Sequence, residues 1–307
     1  MLRIVAGALV VALTLHAVRY RRTMARIRAA AAARLPVGAD GIIPGAGPFT
    51  IAGSATHAVL LVHGFGDTTQ SLRLLAEALH ATHGWTVRAM LLPGHGRRLA
   101  DFDAVGSDQW RAAVHDEYLK LRSRYPVVAL VGLSMGGALA TIEAARHPDL
   151  PALVLLVPYL TPPARAERLA PTAWLVNLLV PYLAGGNRER SILDPAARAR
   201  TLGAGATPPL RIRDLVGVAH DARDAAAQVL APVLLVHSTA DYRIATPLAA
   251  RHAGYFTATP ACEQVWVEGG GHVITVDFCR EQVFTLTAEW LARYAGAPPL
   301  AGHASPV

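Results

Sequence analysis

Ser134 stands in the stretch Gly132-Leu133-Ser134-Met135-Gly136-Gly137, directly after the apolar run Val127 to Val131. A serine hydroxyl is a weak nucleophile until a base takes its proton and its oxygen is held exposed. The spacing Gly-x-Ser-x-Gly answers the second need. Between a strand and a helix it makes a sharp turn, in which the glycines leave room where the two elements crowd together and the serine is forced into a strained conformation. The same turn aims the Met135 N–H and the start of the following helix at the reacting atom. The chemistry open to such a residue is acyl transfer through a covalent intermediate.

A base must then be found among 13 histidines. His80, His83, His115 and His147 fall on or beside helical patterns, and His57 and His303 in loop-like sequence. His272 is different: it sits in Gly269-Gly270-Gly271-His272-Val273, a glycine loop immediately after the strand pattern Gln264 to Glu268. An orienting acid is expected between the serine and the histidine in chain order. Asp241 meets that condition, four residues past the strand pattern Pro232 to His237. Asp194, Asp214, Asp221 and Asp224 lie in an insertion or its exit helix, where solvated carboxylates are the ordinary case, and Asp277 follows His272 too closely to orient it.

An alkoxide intermediate also needs donors. The loop Val62-His63-Gly64-Phe65-Gly66-Asp67 follows the first long strand pattern, so the Phe65 N–H is the expected second donor beside that of Met135. His63 is read as a brace for this loop, and the turn around His95 as a neighbour of the site. Trp174, Leu178 and Leu179, in the apolar stretch Ala173 to Leu183, are the candidate acyl-chain contacts.

These residues need a scaffold, and the sequence supplies one. Short apolar runs at 58–62, 86–92, 127–131, 152–157, 232–237 and 264–268 have strand length, and amphipathic patterns at 69–83, 107–123, 137–146 and 280–294 lie between them. Continuous apolar strands alternating with helices predict a mostly parallel sheet flanked by helices, an α/β fold. Residues 48–295 form the predicted domain; 158–223, rich in proline and without a convincing strand, is its cap insertion; 296–307 is predicted to be a disordered tail.

Charge and hydropathy single out the N-terminus. The chain has 307 residues and a formal charge of +7, yet residues 1–39 hold seven of its 29 basic residues and no acid, so the remaining 22 balance 22 acidic residues. A neutral body gives no indication of a phosphate-binding surface, and no nucleic-acid partner is expected. Residues 4–18 are apolar and uncharged, and an arginine-rich stretch follows. We read 1–28 as a membrane anchor with a basic flank and 29–47 as a linker. The arginines after the apolar run place the catalytic domain in the cytoplasm. The rival is a cleaved signal sequence, which would make the protein secreted or periplasmic. Cys262 and Cys279, far apart and outside any His/Cys cluster, are read as free thiols, and no metal is expected.

HGFGDTTQSLRLLAEAL (63–79), LLPGHG (91–96), GLSMGG (132–137), PVLLVHSTAD (232–241) and GGHVITVD (270–277) occur in that order. Together they resemble the bacterial carboxylesterases related to monoacylglycerol lipases, of the α/β-hydrolase fold. The resemblance implies a triad of Ser134, Asp241 and His272, an oxyanion hole at Phe65 and Met135, hydrolysis of short- to medium-chain acyl esters or monoacylglycerols, and no cofactor. The N-terminal anchor and the Pro/Ala/Arg-rich insertion depart from the compact members of that group. A thioesterase, lysophospholipase or acyltransferase would use the same residues, and a non-catalytic scaffold of the same fold is the alternative outside enzymes.

Overall fold

The structure is a computed structural model that describes residues 1–186 and 188–296. The predicted tail therefore lies, apart from Gly296, outside the described residues. The core is a seven-stranded sheet made by β1 (Phe49–Ile51), β2 (His57–Val62), β3 (Thr86–Met90), β4 (Val127–Leu133), β5 (Leu153–Leu156), β8 (Val233–Ser238) and β9 (Cys262–Val267). Its order is β1-β3-β2-β4-β5-β8-β9, and every pair is parallel except β1 with β3. Two further strands, β6 (Leu183–Ala184) and β7 (Ala206–Thr207), pair as an antiparallel ribbon in the insertion.

The strands are apolar in continuous runs because both faces of the sheet are covered. On one face Leu75 and Leu79 of α2 (Arg73–His83) and Val283, Trp290 and Leu291 of α12 (Arg280–Ala295) pack on Val59, Leu61 and Val131. On the other, Trp110, Val114 and Tyr118 of α4 (Ser107–Arg122), Leu139 of α5 (Met135–Ala144) and Val218 and Ala222 of α10 (Pro209–Ala226) pack on Leu60 and Leu130.

Register matters for function. Val62 is level with Gly132, Leu133 with Leu156, and Ser238 with Val267. The carboxyl ends of β2, β4, β8 and β9 thus reach one edge of the sheet, where the chain leaves into the segments that carry Phe65, Ser134, Asp241 and His272.

The six expected strands and four expected helices are present with ends shifted by a few residues, as fraying and capping make usual. β1 was not expected: three residues on an antiparallel edge carry too short a pattern to read. Between β5 and β8 the chain forms the short helices α6 (Ala164–Leu169), α7 (Ala173–Leu179), α8 (Arg188–Ser191) and α9 (Pro195–Ala199), then β7 and the long α10. α10 packs against α4 and α5, so the end of the 158–223 insertion belongs to the layer beneath the cap.

The N-terminal segment is one helix, α1 (Leu2–Arg34), which runs through the expected boundary at residue 28. Residues 3–19 are exposed. Tyr20, Thr23, Met24, Ile27, Arg28 and Ala31 form a half-buried stripe at helical spacing, and Met24, Ile27 and Ala31 touch the core. Arg3–Arg34 is long and apolar enough to cross a membrane by length and composition, a test that a signal sequence near an N-terminus also passes.

Candidate active site

Ser134 sits between β4 and α5 with φ 55° and ψ −117°, a left-handed conformation that non-glycine residues rarely adopt. The reason is steric. A Cβ on Gly136 would lie 2.1 Å from the Val62 carbonyl oxygen, and one on Gly132 would lie 2.3 Å from that of Gly136. Strand and helix approach this closely because neither glycine has a side chain, and the residue between them takes the strain. The Ser134 N–H donates to Leu156 O at 2.9 Å, and its own carbonyl accepts from Tyr159 N at 3.0 Å, so the turn is fixed on both sides.

His272 and Asp241 complete the arrangement. His272 Nε2 is 2.8 Å from Ser134 Oγ, and His272 Nδ1 is 2.7 Å from Asp241 Oδ2. A carboxylate can only accept, so Nδ1 carries the proton and Nε2 is left to accept from the serine hydroxyl. The other carboxylate oxygen, Oδ1, accepts from the amides of Arg243 at 2.7 Å and Ile244 at 3.2 Å. Burial pushes the Asp241 pKa up, but the nearby His272 charge, its hydrogen bond and the two amides outweigh it and hold the carboxyl below its ordinary value. Asp241 is therefore ionised at neutral pH and aimed at the imidazole.

The Met135 amide opens α5 and has no partner within the helix. The Phe65 loop lies against Ser134: a Cβ on Gly64 would stand 3.3 Å from Ser134 Cβ. His63 braces that loop, as expected. Its Nδ1–H donates to Gly64 O at 2.9 Å and its Nε2 accepts from Leu92 N at 3.0 Å. With both nitrogens engaged and burial lowering its pKa to about 4, it stays neutral. The Phe65 ring is wedged among Phe102, Trp110 and His95, with ring centres 5.2 to 6.4 Å away.

Above Ser134 lies a cavity of about 710 Å³ between the sheet edge and the cap. Leu133, Tyr159, Leu169, Ile192, Leu215 and Val273 give it an apolar lining. Trp174, Leu178 and Leu179 are not brought to this cavity. They face outward, 56%, 58% and 63% exposed.

Three residues of this site were not read from the sequence. Asp277, fully buried, accepts from the amides of Gly271, Leu193 and Asp194, each at 2.8 Å, and so ties the His272 loop to the cap. Ser191 O, in the cap, accepts from the amides of His272 at 2.8 Å and Val273 at 2.9 Å. Asp67, on the cavity wall, accepts from Ser71 Oγ at 2.6 Å, and burial raises its pKa. A carboxylate inside the apolar sequence Val273 to Phe278 was the available signal for Asp277, since such a group must find donors when buried.

One further cluster has metal-ligand residue types. Glu143 Oε1, at the far end of α5, lies 2.9 Å from His115 Nδ1 and 2.7 Å from His147 Nε2. The three satisfy one another, which accounts for a glutamate that is 2% exposed. Cys262 and Cys279 are both free thiols.

Similar proteins carry this architecture. A thermostable monoacylglycerol lipase of Bacillus sp. (strain H-257) is 28% identical over 255 residues, 83% of this chain and 98% of that protein. A carboxylesterase of Bacillus subtilis (strain 168) is 26% identical over 248 residues, 80% of this chain and 96% of that one. Among solved structures, one from a study of LipS and LipT, two metagenome-derived lipolytic enzymes, superposes with a TM-score of 0.73 at 27% identity and covers 82% of this chain and 100% of its own. The fold is the α/β-hydrolase fold, and since the Hydrolase_4 family model, described as serine aminopeptidase S33, matches residues 53–278, the chain belongs to that family.

Proposed function

We propose that this protein is a membrane-tethered serine hydrolase that cleaves short- to medium-chain carboxylic esters, monoacylglycerols among them, through an acyl-enzyme. The observation that carries this reading is the hydrogen-bonded chain of Ser134 Oγ, His272 and Asp241 at the foot of a cavity with an apolar lining. His272 Nε2 takes the hydroxyl proton as Ser134 Oγ attacks the ester carbonyl carbon. The carbonyl oxygen becomes an oxyanion held by the Phe65 and Met135 amides, while Asp241 balances the imidazolium charge. Collapse breaks the bond to the alcohol oxygen, which receives the proton from His272. A water molecule then gives its proton to His272 and attacks the acyl carbon, and Ser134 leaves as the free hydroxyl. The names of the bacterial relatives, a monoacylglycerol lipase and a carboxylesterase, support the substrate class.

The family description raises peptide cleavage as a second reading. An aminopeptidase must hold its substrate's ammonium group with an available carboxylate. The acid on the cavity wall, Asp67, accepts from Ser71 Oγ, and Leu133, Leu169, Ile192, Leu215 and Val273 make most of the remaining lining apolar, which favours an uncharged ester. Tethering rests on the exposed apolar residues 4–18, and the arginines after them support a catalytic domain on the cytoplasmic side.

A fluorophosphonate probe is expected to label the protein covalently, and Ser134→Ala to abolish the label. Hydrolysis of p-nitrophenyl esters of increasing acyl length, set beside amino-acid p-nitroanilides, then fixes the class. Faster turnover of the anilides would reverse the reading.

A further inference from the structure

The large apolar side chains exposed on this molecule are concentrated in two places. One is the outer half of α1, with Ile4, Val5, Leu9, Val10, Val11, Leu13, Leu15 and Val18. The other is the cap helix α7 with its exit, where Trp174, Leu175, Leu178, Leu179 and Val180 are 38% to 63% exposed. Elsewhere the described residues expose, besides the terminal Met1, only Leu74, Leu119, Leu230 and Phe278 of this kind. Positions 174, 175, 178 and 179 share one face of α7.

The two patches touch. His16 Nε2–H of α1 donates to Leu178 O in the last turn of α7 at 2.8 Å. Below this contact the helix is fastened: Arg28 donates to Tyr182 OH at 2.7 Å and to Asp103 of α3 (Leu99–Asp103) at 3.1 Å, and Arg34 donates to Gly203 O. Tyr182 and Gly203 belong to the cap, so α1 and the cap are held as one piece. From Ile4 to His16 the helix rises about 18 Å, past the mid-plane of a ~30 Å hydrocarbon layer. If that length is in lipid, α7 lies where hydrocarbon meets headgroups, the depth that Trp side chains favour.

We propose that the outward face of α7, centred on Trp174, Leu178 and Leu179, is a second bilayer contact, and that α1 holds it at the membrane surface so that the cap meets lipid. The occupant is a phospholipid bilayer, indicated by the continuity of this face with an exposed apolar helix followed by Arg19, Arg21, Arg22 and Arg26 and no acid. The apolar face that sequence reading assigned to the acyl pocket thus serves lipid on the outside of the cap. The proposal goes beyond the hydrolase reading, and its first test does not depend on it.

Full-length protein is bound to vesicles of phosphatidylcholine and phosphatidylglycerol whose acyl chains carry bromine at a shallow or a deep position, and tryptophan emission is recorded. Of the five tryptophans, Trp85, Trp110 and Trp290 are buried and Trp266 is half-buried in β9, so Trp174 is the reporter. Quenching, stronger from the shallow bromine and lost in Trp174→Phe, is expected. Vesicle-bound protein whose quenching is absent, or unchanged by Trp174→Phe, overturns the proposal; so does protein that stays off the vesicles or covers this face by self-association. The second test compares Leu178→Ser/Leu179→Ser with the parent. Hydrolysis of soluble p-nitrophenyl butyrate is expected to be unchanged, while turnover of monoacylglycerol embedded in the vesicles falls about tenfold or more, as loss of inserted apolar area implies. An equal effect on both substrates overturns the bilayer role. Parent protein that quenches normally yet hydrolyses neither ester overturns the hydrolase reading alone.

Discussion

The backbone N–H of His272 donates to the carbonyl oxygen of Ser191 at 2.8 Å, so the imidazole is suspended from the cap as well as from the end of β9. Cap and imidazole are therefore one mechanical unit. Asp277 reinforces the link from beneath, with its carboxylate taking amides from both the His272 loop and the cap.

Removal of that carboxylate is the first expectation. Asp277→Ala leaves the amides of Gly271, Leu193 and Asp194 without their acceptor, and buried unpaired donors cost about 1–3 kcal/mol each. Urea denaturation should show a loss of about 3 kcal/mol or more. kcat should fall on the order of tenfold while KM changes little, because the residue positions the base and touches no substrate. Asp277→Asn, which keeps one acceptor oxygen, should restore part of both.

Asp241→Asn tests the orienting acid. An amide oxygen can still accept from the Arg243 and Ile244 amides, so the fold should persist. An –NH2 group facing Nδ1 favours the tautomer with its proton on Nε2, which cannot accept from Ser134. kcat for a p-nitrophenyl ester is expected to fall by about 10⁴ with the melting temperature nearly unchanged. Full turnover by this variant would exclude Asp241 from the triad.

Two glycines predict opposite outcomes. Gly136→Ala drives a methyl group to 2.1 Å from the Val62 carbonyl, which can move only with the sheet, so a loss of about 3 kcal/mol or more is expected along with activity. Gly217, inside α10, has nothing within 4 Å of an added Cβ. Gly217→Ala should stabilise by up to about 1 kcal/mol, by reducing the freedom of the unfolded chain. Chemical denaturation of both variants checks the contrast.

Stability should fall in mild acid for a reason separate from catalysis. Burial lowers the pKa of His63 and His237 to about 4 and that of His252 to about 3. In the unfolded chain a histidine takes a proton near pH 6.5, so below that pH the unfolded state binds more protons than the native one. Each of these groups then removes up to about 1.4 kcal/mol per pH unit between pH 6.5 and its native pKa. Denaturation midpoints at pH 7 and pH 5 should show the decline, and His237→Phe should flatten it.

The amino-acid sequence by itself determined the strand-to-helix elbow, the chain order of the serine, aspartate and histidine that the fold brings together, and the parallel sheet beneath them. These depend on neighbours in the chain. Gly132 and Gly136 are needed where a strand meets a helix, and an unbroken run such as Val127 to Val131 is soluble only when both its faces are covered. The tertiary structure decided what depends on residues far apart. Asp277 read only as too near His272 to orient it, and its part in tying loop to cap emerged when Leu193 and Asp194 of the cap came to it. α1 read as anchor and linker, yet its second half packs on the core through Met24, Ile27 and Ala31. Trp174, Leu178 and Leu179 carried a hydrophobic signal without a direction. Hydrophobicity says that a side chain avoids water, but whether it turns toward a cavity within or a surface outside is set by what the fold places beside it.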